Sequence, residues 1–410
     1  MTDSNFTWMN AEQIGAPQMN GASNSNGQLL QVLDACLVDG FNSKTVVSIS
    51  KTSTTVTLGY GVTHGYVMGQ LVEVSGANDA TLNGKHKIIA STIDTITISA
   101  SGVSQTTGVI NTKVAPLGFE SIFGSADPLK RAYRSKTVST TRTVIYLDMT
   151  LPAGHGYNST NPVKRATISL CEDMQSLGVQ INSYTDAKNN FASNPNGSLF
   201  WYQCRNRRKT DAVSTSINSK WVIAGNSEYF YLFHEWQDYK SRGTDLRDIY
   251  AFGDTNSLSG FNDLNNCLCV CAVNSNDASD LFHASTGSTI KGSTSTPVGV
   301  FIKDVNGLNL ADLAITLSGA NSENVISGSV SGLTFPNPIT GKITCLPIYA
   351  KTGQSLRSRL DNLMFVSHTV PASKNTGLVV SDDAVLVKMH QGNSTTDTDI
   401  GAFAIRIGSY

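Results

Sequence analysis

The sequence predicts a mainly β protein, built of several small β-barrel or β-sandwich domains with one short N-terminal helix. Three observations predict it. Short runs rich in Val, Ile, Thr, Tyr and Phe recur along the chain, alternate with polar residues and end at Gly, Asn or Ser. The polar complement is mainly Ser, Thr, Asn and Gly, which suit edges and turns and form helices poorly. Charged residues make up only 15% of the 410 residues, against roughly 25% in an average soluble protein.

Residues 1–42 read as an N-terminal arm and short helix. Up to about residue 27 the chain is rich in Asn, Gly, Ser and Met, as in an extended arm or an ordered loop lying on a neighbour. Between Gly27 and Gly40, Leu29, Leu30, Val32, Leu33, Cys36 and Leu37 recur at helical spacing. That spacing predicts about three turns of helix plugging a sheet.

Residues 43–115 read as a small β-barrel-like domain. TVVSISK, TTVTLGY, QLVEVSG, KHKIIAS and DTITISA are short strands separated by Gly and Asn turns. Leu71, Val72, Val74, Ile88, Ile89, Ile96 and Ile98 are its expected core. Ser101 to Lys130 reads as a loop of small and polar residues.

Residues 116–280 read as a central β-sandwich-like domain. RTVIYLDMT, KRATISLCED and LFWYQCR are strands, with Ala166, Ile168 and Leu170 on one face. An aromatic meander follows: KWVIAG and EYFYLFHEW joined at Gly225-Asn226-Ser227, then DIYAFG, then Cys267 to Val273. Residues 281–410 read as a C-terminal β-rich domain whose strands can share a sheet with the centre. They include Pro297 to Lys303, Ala314 to Ser318, KITCLPIYA, AVLVKMH and GAFAIRIG. Ser355 to Leu363 reads as a short helix or a structured loop.

The chemistry-bearing residues give no catalytic constellation. Cys267, Cys269 and Cys271 in CLCVC share one face of a strand, with one residue between thiols where a zinc knuckle needs two to four. His234, Glu235, Asp238, Asp245 and Asp248 are the most site-like cluster. HExxD lacks the second His of a zinc protease, however, and follows a β-run instead of lying on a helix. The basic group Arg205, Arg207, Arg208 and Lys209 reads as a solvated hairpin or a salt-bridge loop. His64 and His155 sit beside glycines in THGY and GHGY, two similar loops, and no Ser or Cys nucleophile elbow accompanies them. Phosphate-binding and dinucleotide fingerprints are absent. The expectation is therefore a protein that is not an enzyme, with no catalytic, cofactor-binding or metal residues and no cofactor.

Composition narrows the partners. The formal net charge is -1, which argues against a nucleic-acid face. No apolar run approaches 18 residues, so no membrane insertion is expected. The N-terminus has neither the basic nor the apolar region of a signal peptide. Seven Cys, an odd number, fit assembly in a reducing cytoplasm.

THGYVMGQLVEVSGANDATLNGKHKI resembles a segment common in structural proteins of tailed bacteriophages, through His64, Gly65, Tyr66, Gly69, Val72, Val74, Ser75, Gly76, Ala77, Leu82, Asn83 and Gly84. WVIAGNSEYFYLF followed by DIYAFGD resembles a segment of tail-associated proteins of long-tailed phages, and RTVIYLDMT and KRATISLCEDM precede it in the same order. The resemblance implies a non-enzymatic virion component assembled in the host cytoplasm. The expected role is a tail or baseplate subunit connecting the tail to peripheral proteins, in a symmetric homo-oligomer with other virion tail proteins as partners. The rival roles are a receptor- or glycan-binding tail-tip adhesin recognising a host surface glycan, a head or capsid decoration protein, and a hydrolase with paired carboxylates in a cleft. An aromatic cluster with Asn and Asp in a groove would mark the adhesin.

Overall fold

The computed structural model describes residues 5–20, 26–101, 103, 107–138, 140–150, 164–184, 199–204, 218–235, 246–257, 266–273, 289–290, 298–304, 307–314, 345–352, 355–366, 378–380, 384–390 and 400–407. The protein is mainly β, with one short early helix. No helix among the described residues is long and apolar enough to cross a membrane.

Seven strands between Phe41 and Val114 form one antiparallel sheet. Its order is Phe41–Thr45, Asn111–Val114, Leu71–Ser75, Gly84–Ser91, Thr95–Ser99, Thr55–Gly59 and Ser48–Lys51. No pairing among the described residues joins the first of these to the last, so the ladder itself does not close. Alternation sets its inner face. Val56, Leu58, Val72, Val74, Ile88, Ile96 and Ile98 are fully buried, because every second side chain of a strand points the same way. Ile89, expected in this core, is only half-buried, because it follows inward-facing Ile88 and alternation turns it to the other face.

The other strands, Thr7–Asn10 and those from Phe119–Phe123 to Ile400–Arg406, belong to a second sheet. The aromatic meander is its spine. Trp221–Gly225, Tyr229–Glu235, Leu246–Ser257 and Asn266–Val273 pair in sequence, each antiparallel to the next. Phe230 meets Phe119 edge-on at 5.5 Å and Trp201 at 5.9 Å, and Trp201 stacks on Tyr250 at 5.6 Å. Such ring pairs add roughly 0.5–1.5 kcal/mol each beyond their buried area. The ladder also runs across residue 280. Asn266–Val273 pairs with Val298–Asp304, and Leu246–Ser257 pairs with Ser355–Val366.

The helix forms where the apolar spacing places it, as an α-helix over Gln28–Leu33 that widens into a π-helix over Asp34–Asp39. The Gly40 N–H reaches back to the Ala35 carbonyl at 2.8 Å, a five-residue span that marks the wider turn. All six predicted apolar residues are fully buried. Buried Arg131 pairs with Asp34 at 2.9 Å, and the Tyr133 hydroxyl donates to Asp34 Oδ1 at 2.7 Å, fixing the helix to the second sheet.

Three features go beyond or differ from the sequence reading. First, residues 5–10 of the arm lie on their own chain, where Phe6, Trp8 and Met9 are buried. Thr7–Asn10 pairs antiparallel with Trp221–Gly225. On its other side Gln70 Nε2 donates to the Trp8 carbonyl, the Leu71 N–H to Thr7 Oγ1 and Lys87 Nζ to the Phe6 carbonyl, each at 2.9 Å. The arm thus stitches the two sheets together. Second, the supposed loop from Ser101 to Lys130 contains the strands Asn111–Val114 and Phe119–Phe123. Third, Ser355–Val366 is a strand, because neighbouring strands take up its backbone groups on both sides.

Candidate functional site

The residues that looked most chemical in the sequence have structural tasks wherever they are described. His64 is buried; its Nδ1 accepts the Tyr66 N–H at 2.9 Å, and its Nε2 donates to the Thr95 carbonyl at 3.2 Å. Gly65 has φ +77°, and a Cβ there would stand 2.7 Å from the Ile14 Cβ of the arm. The Tyr66 hydroxyl donates toward the Asn42 carbonyl at 2.7 Å. Farther along the same segment, Asn83 bridges the backbone of Ala77 through its Oδ1 and Nδ2. The HGY…SGA…LNG pattern is therefore a folding signature of this sheet.

Burial pushes the His64 pKa below the ordinary 6.5 and outweighs the bond to the Thr95 carbonyl, which favours the protonated ring. A proton therefore binds the unfolded chain more readily than the folded one. The stability this residue contributes is complete above about pH 6.5 and is lost as pH falls through the lowered value. Nitrogen-detected histidine NMR is expected to show a neutral Nε2–H ring at pH 6.5, and a half-protonated ring there contradicts the assignment.

Cys267 and Cys269 are buried on a strand paired on both sides, with Leu268 and Val270 buried on the opposite face. Among the described residues no group of three or more His, Cys, Asp and Glu is arranged to hold a metal ion. His234, on the strand Tyr229–Glu235, is buried, with its Nε2 2.9 Å from the Gln203 carbonyl. His155, Arg205, Arg207, Arg208, Lys209, Asp238 and Asp245 lie outside the described residues, as do the side chains of Glu235, Asp248 and Cys271.

A polar groove of about 560 Å³ lies elsewhere, and none of its residues was singled out as a site in the sequence. One wall is the turn between Trp221–Gly225 and Tyr229–Glu235. Asn226 Oδ1 accepts the N–H groups of Glu228 and Tyr229 at 2.9 and 3.0 Å, which sets this tight turn. The facing wall is a bulge in Ser355–Val366. Between the pairs Pro347↔Met364 and Tyr349↔Arg359, one strand advances two residues and the other five. The surplus residues Leu360, Asp361 and Asn362 are pushed into the groove wall. Asn362 adopts φ 56°, a left-handed conformation that Asn tolerates better than most residues.

The groups presented there are held in place by their neighbours. Arg359 Nη2 and Nε donate to Asp361 Oδ1 at 2.9 and 3.2 Å. The Tyr231 hydroxyl donates to the Asp361 carbonyl at 2.9 Å, and Asn362 Nδ2 donates to the Tyr229 hydroxyl at 3.0 Å. Asn5 of the arm, Glu228 and Arg406 complete the polar lining, and Pro347, Leu363 and Met364 add apolar surface. Amides, carboxylates, guanidinium groups and a phenol around a small apolar face suit a ligand with many hydroxyls, each able to donate and accept.

No protein-family model and no curated protein matches the chain. Among solved structures, one match is the phage phi92 endosialidase, at 10% sequence identity and a TM-score of 0.15, covering 90% of this chain and 52% of that one. The chain spans about half the length of that protein. A similarity of that degree fixes neither the fold nor an activity.

Proposed function

We propose that the chain is a receptor- or glycan-binding component of a bacteriophage tail tip, which binds saccharide without cleaving it. The groove between the Asn226–Glu228 turn and the Leu360–Asn362 bulge carries this reading. Its polar groups sit on paired strands and are oriented by hydrogen bonds before a ligand arrives, which lowers the entropic cost of binding. The phage context is supported by the resemblance of Thr63 to Ile88 and of Trp221 to Asp254 to segments of phage virion proteins. In this reading the small sheet is a barrel-like module that the arm fastens to the binding sheet. The role of a connector from tail to peripheral proteins is less well supported, since the arm it would use is buried within its own chain.

The test is binding of the full chain to an immobilised panel of bacterial surface oligosaccharides, with recovery of the bound ligand. Wild type is expected to bind at least one member. Asn362→Gly keeps the positive φ but removes the amide, and it is expected to weaken that binding about tenfold, the equivalent of one or two lost hydrogen bonds. An unchanged melting temperature separates this loss from unfolding. Failure to bind any member defeats the reading, and ligand recovered in fragments defeats its non-catalytic half.

A further inference from the structure

We propose that the groove selects neutral saccharides over acidic ones, an inference that rests on the carbohydrate reading. Its charged lining consists of Arg359 and Arg406 against Glu228 and Asp361, so the formal charges cancel and no net field draws an anion in. Their placement decides the preference. In the Arg359–Asp361 pair the carboxylate is the enclosed partner, 16% exposed, while the guanidinium is 52% exposed. Arg406 is also exposed, at the end of Ile400–Arg406.

The cations therefore stand at the rim and a fixed carboxylate stands deeper. Asn362 adds both kinds of partner. One Nδ2–H is held by the Tyr229 hydroxyl, which leaves the carbonyl oxygen and the second N–H to meet a ligand. Beside the acceptor-only Asp361 carboxylate, such a floor rewards a ligand whose groups both donate and accept, as sugar hydroxyls do. A sugar carboxylate seated at the same depth meets Asp361 at close range, where like charges repel by an amount that grows as water is excluded. Asp361 and Asn362 are thus the residues that set specificity, and the bulge that carries them is the element that places them.

The experiment compares matched pairs of oligosaccharides, each uronic-acid-containing member against its carboxyl-reduced counterpart, by calorimetric or surface-based titration of the full chain. The reduced, neutral member is expected to bind about tenfold tighter. The Asp361→Asn and Glu228→Gln double variant is expected to narrow that ratio, and a charge-independent structural role for these residues would leave it unchanged. Equal or tighter binding of the acidic members overturns the selectivity while leaving the carbohydrate reading in place. An unchanged ratio in the double variant does the same. Binding of neither member across the panel overturns both.

Discussion

Replacing Trp8 by Ala is expected to lower the unfolding free energy by about 3–5 kcal/mol, the usual cost of removing a buried large aromatic side chain. Trp8 is 1% exposed and stands between Phe6 and Met9 on a strand that is buried at every position. The loss should be felt in both sheets. The same few residues pair with Trp221–Gly225 on one side and hydrogen-bond to Gln70, Leu71 and Lys87 on the other. Hydrogen exchange of the Leu71–Ser75 and Trp221–Gly225 amides should therefore accelerate together in the variant. Trp8→Phe provides the control. The indole Nε1 has no hydrogen-bond partner among the described residues, so Phe removes a buried donor that is already unsatisfied. That gain offsets part of the smaller ring's lost packing, and the cost should stay near ~1 kcal/mol. A Trp8→Ala cost below that of Trp8→Phe, read from urea midpoints at unchanged slope, would show that the arm is not part of the core.

The arm also shows where the sequence could be read and where it could not. The helix was legible because Leu29 to Leu37 bury one stripe and glycines bracket it. The strands with a clean period of two, such as Thr55–Gly59 and Thr95–Ser99, were legible for the same kind of reason. Thr7–Asn10 buries both faces, so Thr and Asn occupy positions that give no alternation to read. In Asn111–Val114 the inward residues are Thr112 and Val114, and Thr112 is tolerated there because Tyr60 and Tyr66 hydrogen-bond to its side chain. A polar inward residue looks like loop until its partners are known. Ser355–Val366 misled in the opposite direction. Leu356, Leu360 and Leu363 fall at helical spacing, and the bulge between Arg359 and Met364 is what lets Leu360 and Leu363, three residues apart, both be buried in a strand.

The groove was the least legible feature. Its walls come from residues near 5, 226, 347, 360 and 406, which only the sheet topology brings together. Asn226 and Asn362 are indistinguishable from ordinary turn residues until their hydrogen bonds are seen. The HGY and CLCVC motifs drew attention because His and Cys are chemically versatile, yet His64 is hydrogen-bonded within the fold and Cys267 and Cys269 are buried in a paired strand.

Gly253→Ala should be the most damaging single change near the groove, at about 3 kcal/mol or more. Gly253 has φ +126°, which side-chain-bearing residues adopt only under strain of order 1–3 kcal/mol. It also faces Tyr229 directly across the ladder, and an added Cβ would overlap the Glu228 carbonyl oxygen and press on the Tyr229 Cα. These are backbone atoms, so no side-chain rotation relieves the overlap. Relief requires the Glu228–Tyr229 segment to move, and that segment is tied down by the Asp254 N–H, which donates to the Glu228 carbonyl at 3.0 Å. Displacing it shifts the Tyr229 hydroxyl that Asn362 holds and opens the groove from behind. The variant should therefore lose both melting temperature and ligand binding, whereas Asn362→Gly loses binding alone. A Gly253→Ala protein with wild-type stability would mean that Glu228 and Tyr229 are not packed against this glycine, and the rigid groove wall would fall with that result.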